Sequence, residues 1–91
     1  MNHPDAVPPV ADEPKRRIIL IDDDPLIRQL VVRALADEYE MVEAASGLEG
    51  IAEALIRPPD LILLDVMMPG ELDGLQVCAR VRALPALKAT P

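Results

Sequence analysis

Two groups of aspartates are the residues in this chain best suited to chemistry. Residues 22–24, all aspartate, follow one apolar segment, and Asp65 follows another. Two carboxylates about 4 Å apart repel by about 4 kcal/mol at an effective dielectric of 20, so acids that meet need a proton or a cation. Oxygen ligands with no His or Cys nearby favour a hard ion such as Mg²⁺. A carboxylate beside such an ion can attack phosphorus, which makes phosphoryl transfer the predicted chemistry.

The segments that carry these acids are predicted to be strands of a parallel sheet. The apolar runs at 18–21 and 61–64 have the length of strands that are buried on both faces. Each run is followed by acid at its C-terminal end, the edge at which open α/β sheets bind ligands. A weaker strand signal lies at 41–45. The alternation of three strands with three helices predicts parallel strands joined by right-handed crossovers, and the acids meet if the first and third strands are neighbours.

Each predicted helix follows a residue suited to cap its first turn. Asp24, Ser46 and Asp73 are the predicted N-caps. The first helix carries an apolar stripe predicted to pack on the sheet, which consists of Ile27, Leu30, Val31, Ala34 and Leu35. The polar residues predicted to lie mostly on its other side are Arg28, Gln29, Arg33 and Asp37. The third helix is predicted to end at Pro85, which leaves 86–91 too short for another element.

The composition excludes several classes of protein. The 91 residues suffice for one small domain with an aliphatic core, because 51% are hydrophobic and only one is aromatic. A formal net charge of -7 argues against direct binding to nucleic acid through its phosphate backbone. The sequence has no apolar run of membrane-spanning length and no signal-peptide pattern, so a cytoplasmic location is predicted.

Three further features are interpreted as structural. The proline-rich residues 1–16 are predicted to be a disordered leader, which leaves 17–91 as the domain. The basic cluster at 15–17 is interpreted as a solvated approach to the first strand, and a targeting or phosphate-binding patch is the less favoured interpretation. Cys78 has no partner for an internal disulfide and is predicted to be a small buried hydrophobe.

The motifs at the two strand ends resemble one known family. Ile-Asp-Asp-Asp at 21–24, Leu-Leu-Asp-Val-Met-Met-Pro at 63–69 and Asp-Gly at 73–74 together resemble the receiver domain of bacterial response regulators. These domains are phosphorelay modules of two-component signalling. The resemblance covers 17–91 and implies a flavodoxin-like, doubly wound α/β fold with strand order 2-1-3-4-5, of which the chain holds the first three β/α units.

The resemblance also implies roles for individual residues. Asp65 would be the phosphoryl acceptor, and Pro69 and Gly74 would shape the loop that follows it. The residues implied to hold Mg²⁺ are Asp22, Asp23, Asp65 and the backbone carbonyl of Met67. The implied phosphodonor is a sensor histidine kinase or a phosphotransfer protein, and the implied role is signalling to an output domain rather than enzymatic turnover of a substrate.

The sequence departs from the receiver pattern in two places. The loop between Pro69 and Asp73 holds one residue more than the commoner form. The fourth and fifth strands do not appear, and with them are missing the hydroxyl residue and the lysine expected to contact the phosphoryl group. The third strand would then present an open edge, which is a template for pairing. We therefore expect a longer natural product, or completion by another chain, including self-association through this edge.

Two alternative functions compete with this interpretation. Asp22 and Asp24 fit the D-x-D pattern of haloacid-dehalogenase-like (HAD-like) phosphatases, in which Asp22 would be the nucleophile, although Pro25 is unusual there. The other alternative is a dimerising or sequestering decoy that is never phosphorylated. The three hypotheses differ in which residue is phosphorylated. The receiver predicts a phosphoryl group on Asp65, the phosphatase predicts one on Asp22, and the decoy predicts neither.

Overall fold

Three parallel strands form one sheet, and three helices alternate with them along the chain. The computed structural model describes residues 14–66, 68 and 72–91. The elements are β1 (Arg16–Ile21), α1 (Pro25–Leu35), β2 (Tyr39–Ala44), α2 (Gly47–Ile56), β3 (Leu61–Leu64) and α3 (Gly74–Ala83). The sheet has the order β2-β1-β3, and both strand pairs are parallel. The predicted α/β arrangement is confirmed, and β1 and β3 are neighbours.

β1 begins earlier than predicted, because it pairs with β2 from Arg16 onward. Arg16 therefore belongs to the sheet and not to the predicted leader, whose residues 1–13 lie outside the described part of the chain. The side chain of Arg17 is only 11% exposed and forms ion pairs with Glu40 at 3.0 Å and Glu53 at 3.8 Å. The interpretation of this cluster as a solvated approach is wrong for Arg17, which ties β1 to β2 and α2.

The main hydrophobic core lies between the sheet and the pair of helices α2 and α3. Its buried residues are Ile19, Ile21, Ala44, Ala54, Met68, Leu72, Val77, Val81 and Leu87. Val77 and Val81 mark the inward side of α3, since residues four apart share a helix face. Cys78 is rotated from Val77 by about 100° around the helix, and it is exposed. The prediction that Cys78 is buried is therefore wrong.

Helix α1 is less buried than its apolar stripe predicts. None of its residues is buried, and Leu30 is 56% exposed, while Val31 and Leu35 are half-buried. Its main contacts with another element are with β2, whereas α2 and α3 contact each other beside the core. Since no second helix packs beside α1 in the described ranges, only part of the predicted stripe is covered.

The residues after α3 form turns that pack against the sheet. They contain no helix or strand, in keeping with the prediction, yet Leu87 is fully buried. The N–H of Ile62 donates to the carbonyl of Pro91 at 2.9 Å, on the side of β3 away from β1. β3 was predicted to be buried on both faces, but its four residues are half-buried because β1 is its only strand neighbour among the described residues.

None of the helices in the described ranges is both long enough and apolar enough to span a membrane.

Candidate metal centre at the carboxyl edge of the sheet

The parallel pairing of β1 and β3 brings the two groups of acids together. The N–H of Asp65 donates to the carbonyl of Ile21 at 2.9 Å, so Asp65 lies beside the end of β1. Carboxylate oxygens of Asp22, Asp23 and Asp65 all lie within 4.8 Å of one another. The predicted meeting of these three acids is confirmed. Asp22 and Asp65 are half-buried, while Asp23 is exposed.

Asp22 is held in place at three of its atoms. Its N–H donates to the carbonyl of Ala44 at 3.1 Å, which joins the end of β1 to β2. Its Oδ1 accepts the N–H of Asp24 at 2.9 Å, and its carbonyl accepts the Arg28 guanidinium at 2.7 Å. Backbone and side chain are thus both restrained, and Oδ2 is the carboxylate oxygen that these bonds do not engage.

Asp24 does not join the cluster, because its carboxylate caps α1. Its Oδ1 accepts the N–H of Leu26 at 2.9 Å and that of Ile27 at 3.5 Å. Pro25 occupies the start of the helix, where a missing N–H costs nothing. The three consecutive aspartates therefore have two roles. Asp22 and Asp23 belong to the acidic cluster at the end of β1, and Asp24 caps α1.

The other two predicted capping residues also lie at helix starts. Ser46 Oγ accepts the N–H of Glu49 at 3.2 Å at the start of α2. Asp73 and Gln76 form a reciprocal capping box at the start of α3, with both hydrogen bonds at 2.9 Å. This box fixes the residue at which α3 begins.

Gly74 lies where α3 starts, against the backbone of the two residues that follow β3. A Cβ at this position would lie 2.3 Å from Val66 Cα and 2.5 Å from the carbonyl oxygen of Asp65. Only glycine permits this close approach without moving the backbone. Met67 and Pro69, which were also predicted to belong to the site, lie outside the described residues. Met68 is buried in the core.

Arg28 is a site-adjacent residue whose position the sequence reasoning missed. It was predicted on the outward side of α1, yet its guanidinium reaches the Asp22 carbonyl and the Glu43 carboxylate. No local pattern in the sequence predicts this position, because both partners of the guanidinium lie outside α1.

The donor set of the cluster fits a hard divalent cation. All three side chains offer carboxylate oxygens, and no histidine or cysteine belongs to the group. Hard oxygen ligands suit Mg²⁺, which binds through one or two carboxylates and retains water or phosphate oxygens in its remaining positions. Such an ion would also neutralise the repulsion among the three acids.

If the acids repel one another, removing one charge should stabilise the metal-free protein. Two unit charges 4 Å apart interact by about 1 kcal/mol in bulk water, and about 1 kcal/mol shifts the Tm of a domain this small by about 4–8 °C. We therefore expect Asp23→Asn to raise the Tm by several degrees in thermal unfolding with a chelator present. Mg²⁺ should stabilise the variant less than the wild type.

Asp37→Asn is the matched control, because it removes the same charge at an exposed position beyond α1. Its Tm should change little. A Tm of Asp23→Asn equal to or below that of the wild type would contradict the predicted repulsion.

Comparisons with known proteins agree with these observations. The sequence matches the family described as "Response regulator receiver domain" over residues 18–91. The transcriptional regulatory protein ResD of Bacillus subtilis is 46% identical over 76 residues, which are 82% of this chain and 30% of ResD. The chain therefore spans less than a third of the length of this relative.

Solved structures show the same fold. The chemotaxis protein CheY4 of Vibrio cholerae superposes with a TM-score of 0.80 at 36% identity, over 85% of this chain and 64% of CheY4. The response regulator TrrA of Thermotoga maritima, solved in complex with Mg²⁺ and BeF, superposes with a TM-score of 0.70 at 38% identity. That alignment covers 75% of this chain and 59% of TrrA.

Proposed function

The chain belongs to the response regulator receiver domain family, and from this membership we propose that Asp65 accepts a phosphoryl group in a two-component phosphorelay. The observation that carries the proposal is the cluster of Asp22, Asp23 and Asp65 within 4.8 Å. The donor would be a sensor histidine kinase or a phosphotransfer protein. The chain would act in the cytoplasm as a signalling module, with an output domain reading its phosphorylated state.

The three acids have different parts in the proposed reaction. An oxygen of Asp65 forms the new bond to phosphorus while the bond between phosphorus and the donor atom breaks. Asp22 and Asp23, with Asp65 and the carbonyl of Met67, would hold Mg²⁺. When bound, this ion screens the negative charge of the incoming phosphoryl oxygens. Pro69 and Gly74 would shape the loop that keeps α3 close to Asp65.

The position of Asp24 favours this proposal over the HAD-like phosphatase. In that alternative Asp22 would attack phosphorus, and the carboxylate of Asp24 would serve as the acid and base. However, Asp24 Oδ1 accepts two backbone N–H groups at the start of α1. A carboxylate engaged as an N-cap is poorly placed to exchange protons with a substrate.

The edge of β3 supports a second candidate function, which is association without phosphorylation. The described residues supply β3 with one strand neighbour, β1, and with the carbonyl of Pro91 on its other side. Because open edges pair with other strands, a second copy or a full receiver could dock there. A monomer with a sharp, reversible unfolding transition would contradict this candidate.

Mapping of the modified residue tests the proposal. The 91-residue chain is incubated with acetyl phosphate and Mg²⁺, the labile acyl phosphate is reduced with borohydride, and the modified peptide is identified by mass spectrometry. We expect modification at Asp65 and its loss when a chelator replaces Mg²⁺. Modification at Asp22 would support the phosphatase, and no modification together with tight self-association would support the decoy.

A further inference from the structure

We propose that Arg28 is a positioning residue for the metal centre, holding the backbone at Asp22 in the conformation that binds the ion. This inference rests on the proposed function, because it concerns Mg²⁺ binding by Asp22, Asp23 and Asp65. Arg28 would not touch the ion. It would act through the loop that joins β1 to α1 and through β2.

The contacts of Arg28 join three parts of the fold. Its Nη1 donates to the Asp22 carbonyl at 2.7 Å, and its Nε donates to Glu43 Oε1, near the end of β2, at 3.2 Å. The side chain of Arg28 is 17% exposed, whereas that of Glu43 is 44% exposed. The guanidinium is therefore largely withdrawn from water and bonded on two of its edges, the geometry that its planar fork allows.

Arg28 lies in the first turn of α1. Its N–H donates to the carbonyl of the N-cap Asp24 at 3.1 Å, the first hydrogen bond of the helix, while its guanidinium binds the carbonyl of Asp22. The backbone bond does not depend on the side chain, so it is the guanidinium that joins Asp22 to the helix. Glu43 accepts one hydrogen bond from Nε of the guanidinium at 3.2 Å, which restricts its orientation.

Positioning and simple charge have opposite consequences for Mg²⁺ binding. The Arg28 cation lies beside the acids and repels a second cation, so removing its charge alone should tighten Mg²⁺ binding. If Arg28 positions the loop, its removal should weaken binding, because groups that orient metal ligands typically contribute about 10–100-fold to affinity. The direction in which the Mg²⁺ affinity changes when Arg28 is replaced therefore shows whether Arg28 positions the loop or acts only through its charge.

The test is a Mg²⁺ titration followed by the backbone amide signals of 22–24 and 65 in NMR spectra of the 91-residue chain. We expect Arg28→Gln to weaken binding by about tenfold or more. Arg33→Gln is the matched control, because it removes the same charge from an exposed position in the last turn of α1. It should leave the affinity unchanged or slightly increased.

Two further variants keep the test decisive if Arg28→Gln folds poorly. Arg28→Lys retains the charge but presents a single ammonium group, so its affinity should lie between those of the wild type and Arg28→Gln. Glu43→Gln keeps an oxygen acceptor and should weaken binding less than Arg28→Gln. Each spectrum reports folding directly, because the signals of β1 keep their dispersion in a folded variant.

Phosphorylation provides an independent readout. If Arg28 acts only through ion binding, the rate of Arg28→Gln with acetyl phosphate should recover at saturating Mg²⁺. Affinity in Arg28→Gln equal to or tighter than wild type, with clear binding by the wild type, would overturn the inference and leave the proposed function intact. Absence of Mg²⁺ binding by the wild type would overturn both.

Discussion

Asp65→Asn is expected to reduce phosphoryl incorporation to the background seen without a donor. An amide oxygen is not a nucleophile toward phosphorus in water. The other two carboxylates of the cluster, Asp22 and Asp23, are proposed to hold the metal ion, so the loss should be complete. The fold should persist, because the backbone hydrogen bond from residue 65 to Ile21 survives the substitution. The measurement is intact-mass spectrometry after incubation with acetyl phosphate and Mg²⁺.

Asp37→Asn serves as the control for this experiment, since it changes the charge equally and lies outside the cluster. It should be modified at the wild-type rate. Full modification of Asp65→Asn at another residue would contradict the assignment of the acceptor. Modification at Asp22 in particular would restore the phosphatase alternative.

Gly74→Ala is expected to damage stability and phosphoryl acceptance together. The added Cβ would lie 2.3 Å from Val66 Cα and 2.5 Å from the Asp65 carbonyl oxygen, and backbone atoms cannot rotate away as a side chain can. Overpacking of this kind typically costs about 1–3 kcal/mol, which exceeds the gain of up to about 1 kcal/mol in helix propensity. Urea unfolding should report the loss, and the initial rate of modification should fall.

Gly50→Ala is the matched glycine substitution in a helix. Its Cβ would meet the side-chain tip of Ile21, 2.2 Å from Cδ1, so the strain falls on a side chain in the core and not on the backbone of Asp65. It should lower stability but leave the rate of modification near the wild-type value under conditions where both variants are folded. Wild-type stability and rate in Gly74→Ala would show that α3 need not begin so close to β3.

The local parts of the fold could be predicted from sequence because their signals are local. The run 61–64 has the bounds of β3, and Asp73 with Gln76 gives the start of α3. By contrast, β1 and β2 each begin two residues before the predicted strands, where Arg16 pairs with Tyr39. The pattern of apolar and polar side chains does not predict the pairing of Arg16 with Tyr39, because that pairing is made by backbone atoms.

The errors in predicted burial have a tertiary origin. Cys78 lies among apolar residues in sequence, yet its exposure depends on which side of α3 faces α2 and the sheet. Arg17 looks like a solvated cation, yet two glutamates from different elements converge on it. In both cases the deciding contacts join residues that are distant in the chain.

The candidate site, like the fold, could be predicted only in part from the sequence. The meeting of Asp22 and Asp65 was predicted on the condition that the first and third strands are neighbours, an order that the resemblance implied and the sheet confirms, because carboxyl ends of neighbouring parallel strands share an edge. The contacts of Arg28 and the backbone approach at Gly74 depend on distances of a few ångströms between elements. Residue type and spacing indicate which groups could act together, whereas the supporting contacts emerge only from packing.

The hydrogen bonds that cross the ends of the three strands have a mechanical consequence. The N–H of Asp65 donates to the carbonyl of Ile21. Asp22 follows Ile21 in the chain, and its N–H donates to the carbonyl of Ala44. These two hydrogen bonds join the ends of all three strands in one row, so a shift of one strand end would strain the bond to its neighbour. A displacement of Asp65 would therefore act, through the end of β1, on Ala44, the last residue of β2, which lies two residues before the cap of α2.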